Sequence, residues 1–164
     1  MYAASVPVCL HFLTALSAIL DKADAHVRST GGDTASLVDA RLAPDMLPLS
    51  TQVQIATDHA KGMAARLSGR DVPKFEDTES TVDELKARIA KVMDFISSVE
   101  VSEIEGSEER EITLTIAGKP MTLNGQRYLQ HFALPNFFFH VTTAYAILRK
   151  EGVPLGKRDY MGRV

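Results

Sequence analysis

Two side chains spaced four residues apart carry the first chemistry in this sequence. Asn136 and His140 stand in the run Leu134-Pro-Asn-Phe-Phe-Phe-His-Val-Thr-Thr143. At 3.6 residues per turn, that spacing sets them about 40° apart on one helix face. Leu129, Phe132 and Ile147 fall on the same stripe, with Thr143 beside it. An amide and an imidazole on an apolar stripe need partners. The choices are each other, a polar group on another helix, a water, or a metal ion. A second segment offers a matching group. Gln52, Ile55, Ala56, His59, Met63 and Arg66 share one face through spacings of three, four and seven. Across the interior of a bundle, His59 can meet His140 and Asn136. Two imidazoles and an amide can ligate a divalent ion. They can equally close a hydrogen-bonded core network.

The other polar candidates read differently. His131 lies nine residues before His140, half a turn out of phase, and faces elsewhere. His11 sits in apolar surroundings and reads as structural, and His26 in a polar stretch reads as exposed. Cys9 has no Cys-x-x-Cys partner or adjacent basic group, so it reads as a small core residue. Asp45, between Pro44 and Met46, is either a local cap or a partner to a site histidine.

Positioning these groups requires helices, and the pattern supplies them. Leu13, Leu16, Leu20, Ala23 and Val27 predict a first helix over Val6 to Arg28, stopped by Thr30-Gly31-Gly32-Asp33. A short helical piece is expected between Thr34 and Ala40, and Pro44 and Pro48 make the next crossing irregular. The second long helix runs from Pro48 or Ser50 to Leu67, with Ser68-Gly69 as its stop. Thr81-x-x-Glu84 is a capping box that opens a third helix reaching Ser98. The period then changes to two in Glu111-Ile-Thr-Leu-Thr-Ile116. Ala117-Gly118-Lys119 reads as a turn and Pro120 to Leu123 as a return strand. Asn124 caps a fourth helix from Gln126 to Lys150, kinked at Pro135 and ended by Gly152 and Pro154. The tail, Leu155 to Val164, reads as loop. The fold class is all-α: a four-helix bundle with a small β-hairpin between the third and fourth helices. Its connectivity order stays open.

Composition bounds the rest. A chain of 164 residues suits one domain, residues 1–164. Eighteen Lys+Arg against 21 Asp+Glu, with no basic block, argue against a nucleic-acid partner. One cysteine excludes a disulfide scaffold and fits a cytoplasmic location. The stretch Val6 to Leu20 imitates a signal-peptide core, but no Lys or Arg precedes it and the pattern runs on into a polar helix. We therefore expect a core helix and no membrane partner. From Phe132 to Leu148 no residue is Asp, Glu, Lys or Arg, so part of the fourth helix is expected to pack on a second subunit in a homodimer.

Three segments carry a resemblance. They are His131-Phe-Ala-Leu-Pro-Asn-Phe-Phe-Phe-His140 with its continuation through Gly152-Val-Pro-Leu-Gly-Lys-Arg-Asp159, Arg41-Leu-Ala-Pro-Asp-Met-Leu-Pro-Leu49, and Phe75-Glu-Asp-Thr-Glu79. Together they resemble an uncharacterised bacterial domain-of-unknown-function family within the DinB/YfiT-like metalloenzyme superfamily. The resemblance implies a DinB-like four-helix bundle, commonly dimeric. It also implies one divalent metal, nickel or zinc, held by a histidine on the second helix and a His-x-x-x-His pair on the fourth. Here His59 matches the first and His140 the second of the pair, while Asn136 replaces the other histidine. The activity implied is that of a transferase or isomerase using a low-molecular-weight thiol. The alternative is a non-catalytic dimeric bundle or small-ligand-binding module, whose His/Asn cluster is a structural network. The catalytic residues and the substrate are not legible.

Overall fold

Apolar spacing, capping and turn chemistry act in register along this chain, and the computed structural model, describing residues 1–163, shows what they build. A 3-10 turn at Tyr2–Ala4 leads into α1, Val6–Ser29, with Pro7 in its first turn. A short helix, α2 (Ala35–Val38), interrupts the crossing to α3 (Leu49–Ser68). Helix α4 (Val82–Ser97) opens on the expected capping box, with Thr81 and Glu84 each accepting from the other's backbone. A one-turn helix, α5 (Val101–Ile104), follows; nothing in the sequence reading anticipated it.

Strands β1 (Glu111–Ile116) and β2 (Lys119–Asn124) pair antiparallel from Glu111↔Asn124 to Ile116↔Lys119. Lys119 is therefore a strand residue and the loop is only Ala117-Gly118. Both loop residues have positive φ, 49° and 77°, which matches the twist that two-residue hairpins need. Asn124 caps the next turn as predicted, accepting from the Arg127 amide.

The fourth long helix is not one regular helix. It begins as α6 (Gly125–Tyr128), widens into a π turn over Leu129–Ala133, and continues as α7 (Leu134–Lys150). The cause is Pro135, which has no N–H for the His131 carbonyl and whose ring would collide with it. The wider turn gives the chain room, and the Leu134 amide bonds back to Leu129. The tail is also corrected: α8 (Lys157–Met161) is helical, with Asp159 accepting from the Gly156 amide. Val164, part of the predicted loop and domain, lies outside the described residues.

Helix α3 packs between α4 and α7, and α1 closes the ring against the same two helices. Helices α1 and α3 thus face each other across the bundle diagonal. That is why their connection, residues 30–48, is long. The core runs through Leu13, Leu16, Leu20, Val53, Met63, Ile89 and Phe137, all essentially inaccessible. Helix α1 is long and apolar enough to cross a membrane by length and composition, yet its face from Val6 to Ala23 forms a wall of this core. Ile112 and Leu114 of β1 are buried, so the hairpin closes over the bundle.

Candidate functional site

The groove between α3 and α7 brings two histidines together. The rings of His59 and His140 lie 6.0 Å apart between centroids and 13° from parallel. Phe132 meets His59 edge-on at 5.7 Å, and Phe139 meets His140 edge-on at 5.2 Å. The core face of α7 is Phe137, Val141, Ala144 and Leu148, while Asn136 and His140 are half-buried on its flank.

Each polar group has a distinct hydrogen-bond state. Gln52 is buried, and its Nε2 donates to the Leu47 carbonyl at 3.0 Å. That bond fixes the amide orientation and turns Oε1 toward His140 Nδ1, 2.7 Å away. Since Oε1 can only accept, Nδ1 carries the proton and Nε2 presents its lone pair. Asn136 donates through Nδ2 to the Phe132 carbonyl at 2.7 Å, leaving Oδ1 free to accept. His59 has no hydrogen-bond partner among the described residues.

Burial lowers the proton affinity of both rings. Burial first, then the neighbouring His140, pushes the His59 imidazolium down to about 4. Arg66 adds to this, and Asp58 opposes it. Burial likewise lowers His140 below the usual imidazole range. Asp58 offsets only part of the lowering, and its Oδ1 is held by Arg88 at 2.8 Å and by Lys61 at 2.7 Å.

Arg88 is the hub of the site's outer shell. Its side chain is 1% exposed and reaches Thr57, Asp58, Asp77, Glu79 and the Glu76 carbonyl, all within 3.0 Å. Gln54 adds a bond to Glu79 at 2.9 Å. This network fastens the segment 76–79 to α3 next to His59. On the other side a cleft of about 240 Å³ opens onto His59, walled by Leu114, Ile116, Phe132 and Arg66.

The remaining sequence candidates fall away from the site. His131 is exposed, and Cys9 is buried, its thiol pushed up to about 12 by burial. His11 bonds the Met161 carbonyl through Nε2 at 2.5 Å, tying α1 to α8, while His26 is half-buried rather than exposed. Asp45 is exposed and bonds neither histidine. Gln52 and Arg66 appeared on the His59 stripe without roles. Their spacing of seven on either side of His59 was the signal. Among the described residues no three His, Cys, Asp or Glu side chains gather as a metal site.

The fold, a helical bundle with a hairpin over one groove, is that of a DinB-like protein. The chain is 38% identical to a DinB family member from Shewanella denitrificans seen in a crystal structure, with a TM-score of 0.91, covering 99% of this chain and 92% of that one. It belongs to the family described as Domain of unknown function (DUF1993), whose sequence model matches residues 1–161. No curated protein matches it.

Proposed function

We propose that this is a metal-dependent enzyme in which His59, His140 and Asn136 hold one nickel or zinc ion. The observation that carries the reading is the pair of imidazoles 6.0 Å apart in one groove, with Gln52 holding the proton on His140 Nδ1. A zinc–nitrogen bond of about 2.0–2.1 Å runs along a lone pair in the ring plane, so the near-parallel rings would turn toward each other to share one ion. Asn136 Oδ1 is a neutral oxygen, a weaker ligand than imidazole, and it leaves the site electron-poor. Three protein donors leave coordination positions for a ligand, the pattern of catalytic rather than structural metal sites. When bound, the ion lowers the pKa of a low-molecular-weight thiol and so supplies a thiolate for transfer or isomerisation chemistry. The chain's own residues do the rest. Gln52 sets the tautomer and ring plane of His140, and Leu114, Ile116 and Phe132 line the apolar side of the cleft that opens onto His59.

Metal analysis of untagged protein tests this directly. We expect about one nickel or zinc ion per chain, lost in His59→Ala and in His140→Ala. Either metal should raise the melting temperature, since it binds only the folded state. No uptake at tenfold excess refutes the proposal. One observation favours a second reading, a structural network: His140 and Asn136 each already bond within the chain. That reading expects a melting temperature indifferent to metal. We also propose a homodimer through α7, because Phe139 is 56% exposed beside Leu42 and Pro135 on a largely uncharged face. The single buried cysteine suits a cytoplasmic location, which we propose as well.

A further inference from the structure

Arg66 stands where a ligand for this site would end, and its placement is built rather than incidental. The side chain folds back along α3 so that its guanidinium lies over Gly62. A Cβ at position 62 would overlap Nη1, so the glycine is what seats the group. Nη1 also donates to the Tyr128 hydroxyl at 3.2 Å. Tyr128 is fully buried, so the anchor is rigid. That bond uses one of five guanidinium donors, and no carboxylate pairs with Arg66 among the described residues. The group is half-buried and lines two adjoining clefts, of about 240 Å³ with His59 and of about 620 Å³ with Val72, Pro73 and Phe75. Its charge reaches His59, lowering that imidazole's proton affinity.

We infer that Arg66 is the binding residue for the carboxylate of a small organic acid whose apolar body lies in these clefts. The fork of N–H donors matches a carboxylate in a bidentate pair. The charge balance favours a monoanion. The larger cleft is lined by the cations Lys61, Arg66 and Lys74 against the carboxylates of Asp58 and Glu76, one positive charge in excess; Asp58, which also lines the smaller cleft, is engaged by Lys61 at 2.7 Å and by Arg88 at 2.8 Å, while Arg66 has no carboxylate partner among the described residues. The walls supplied by Phe75, Val72, Leu114 and Phe132 suit a hydrocarbon body rather than a polyol. This deepens the proposal above by naming the class of molecule the site takes. It rests on that proposal only for the chemistry at the far end of the acid.

The test is a titration of the metal-free protein, followed by the Arg66 side-chain N–H and backbone amide signals in NMR at constant ionic strength. The probes are benzoate, its uncharged isostere benzamide, and inorganic phosphate. Benzoate should shift Arg66, Gly62 and His59 saturably, and benzamide should not. Arg66→Gln should weaken benzoate about tenfold or more, as loss of a charge-assisted pair does. Gly62→Ala should weaken it comparably with little change in melting temperature, because the helix gain offsets the loss of the Arg66–Tyr128 bond. Equal binding of benzamide, or undiminished benzoate binding in both variants, overturns the inference. Tighter binding of phosphate than of benzoate overturns the carboxylate assignment. No metal enters the titration, so its failure leaves metal uptake at His59 and His140 untouched. Failed uptake equally leaves a carboxylate result standing.

Discussion

Replacing Gln52 with leucine removes the group that holds the proton on His140 Nδ1. The substitution conserves volume and helix propensity, so its effect comes from two bonds, to His140 at 2.7 Å and to the Leu47 carbonyl at 3.0 Å. Each is a neutral side-chain hydrogen bond worth about 1 kcal/mol net. Both partners keep some access to water, since Leu47 is 46% exposed and His140 is half-buried, so neither is stranded. The expected destabilisation is therefore about 2 kcal/mol, or roughly 4–8 °C in melting temperature for a chain of this size. A structural role alone would end there. The tautomer is the sharper readout. Nitrogen-15 chemical shifts of His140 in metal-free wild type should show Nδ1 protonated and Nε2 bare; in Gln52→Leu the proton should exchange between the two. Outer-shell losses of this kind cost about 10–100-fold in metal affinity, so nickel or zinc should bind Gln52→Leu that much more weakly. A variant that melts normally, keeps Nδ1 protonated and loses no metal affinity would refute the assignment of Gln52 as the orienting residue.

Acid should destabilise the fold through the same pair. The native state holds His59 neutral down to about pH 4, whereas an unfolded imidazole takes its proton near 6.5. Stability is thus intact above about pH 6.5 and falls as the pH drops toward 4. His59 contributes about 2 kcal/mol after allowing for its partial exposure. Urea denaturation at pH 7 and 4.5 should show that loss, and His59→Phe should abolish most of it. Arg88→Met should cost about 2 kcal/mol, because it leaves the sheltered Glu79 with only Gln54, while Asp58 and Asp77 are half exposed and keep access to water. Arg88→Lys should recover little of it, since one ammonium cannot reach five acceptors; thermal melts of the pair decide this. Phe139→Glu should shift sedimentation from dimer to monomer with no fall in the melting temperature of the bundle. A wild type that sediments as a monomer at micromolar concentration removes the dimer proposal.

The amino-acid order determined the local structure, because the signals involved are local. Helix periods, the Thr81–Glu84 capping box, the Asn124 cap and the change to period two at Glu111 act over a few residues each. They appear in the structure where the pattern put them. So does the pairing of His59 with His140, since one apolar face per helix leaves few ways to pack a bundle. Pro135 announced an irregularity, but whether the backbone kinks or widens into a π turn depends on how α6 and α7 both stay packed. The helical tail at α8 was equally invisible, because its order comes from α1 through His11, Lys22 and Asp159. Tertiary structure alone decided what surrounds the two rings. Gln52 becomes an orienting group only because Leu47 fixes its amide, and the Asp58 carboxylate beside His59 is paired by Arg88 and Lys61 from other turns and another helix. Arg66 acquires a seat because the residue one turn before it lacks a side chain, and the hairpin happens to wall the cleft it faces. Hydrogen-bond partners and charge neighbours are set by contacts between elements far apart in the chain, and no spacing along the sequence encodes them.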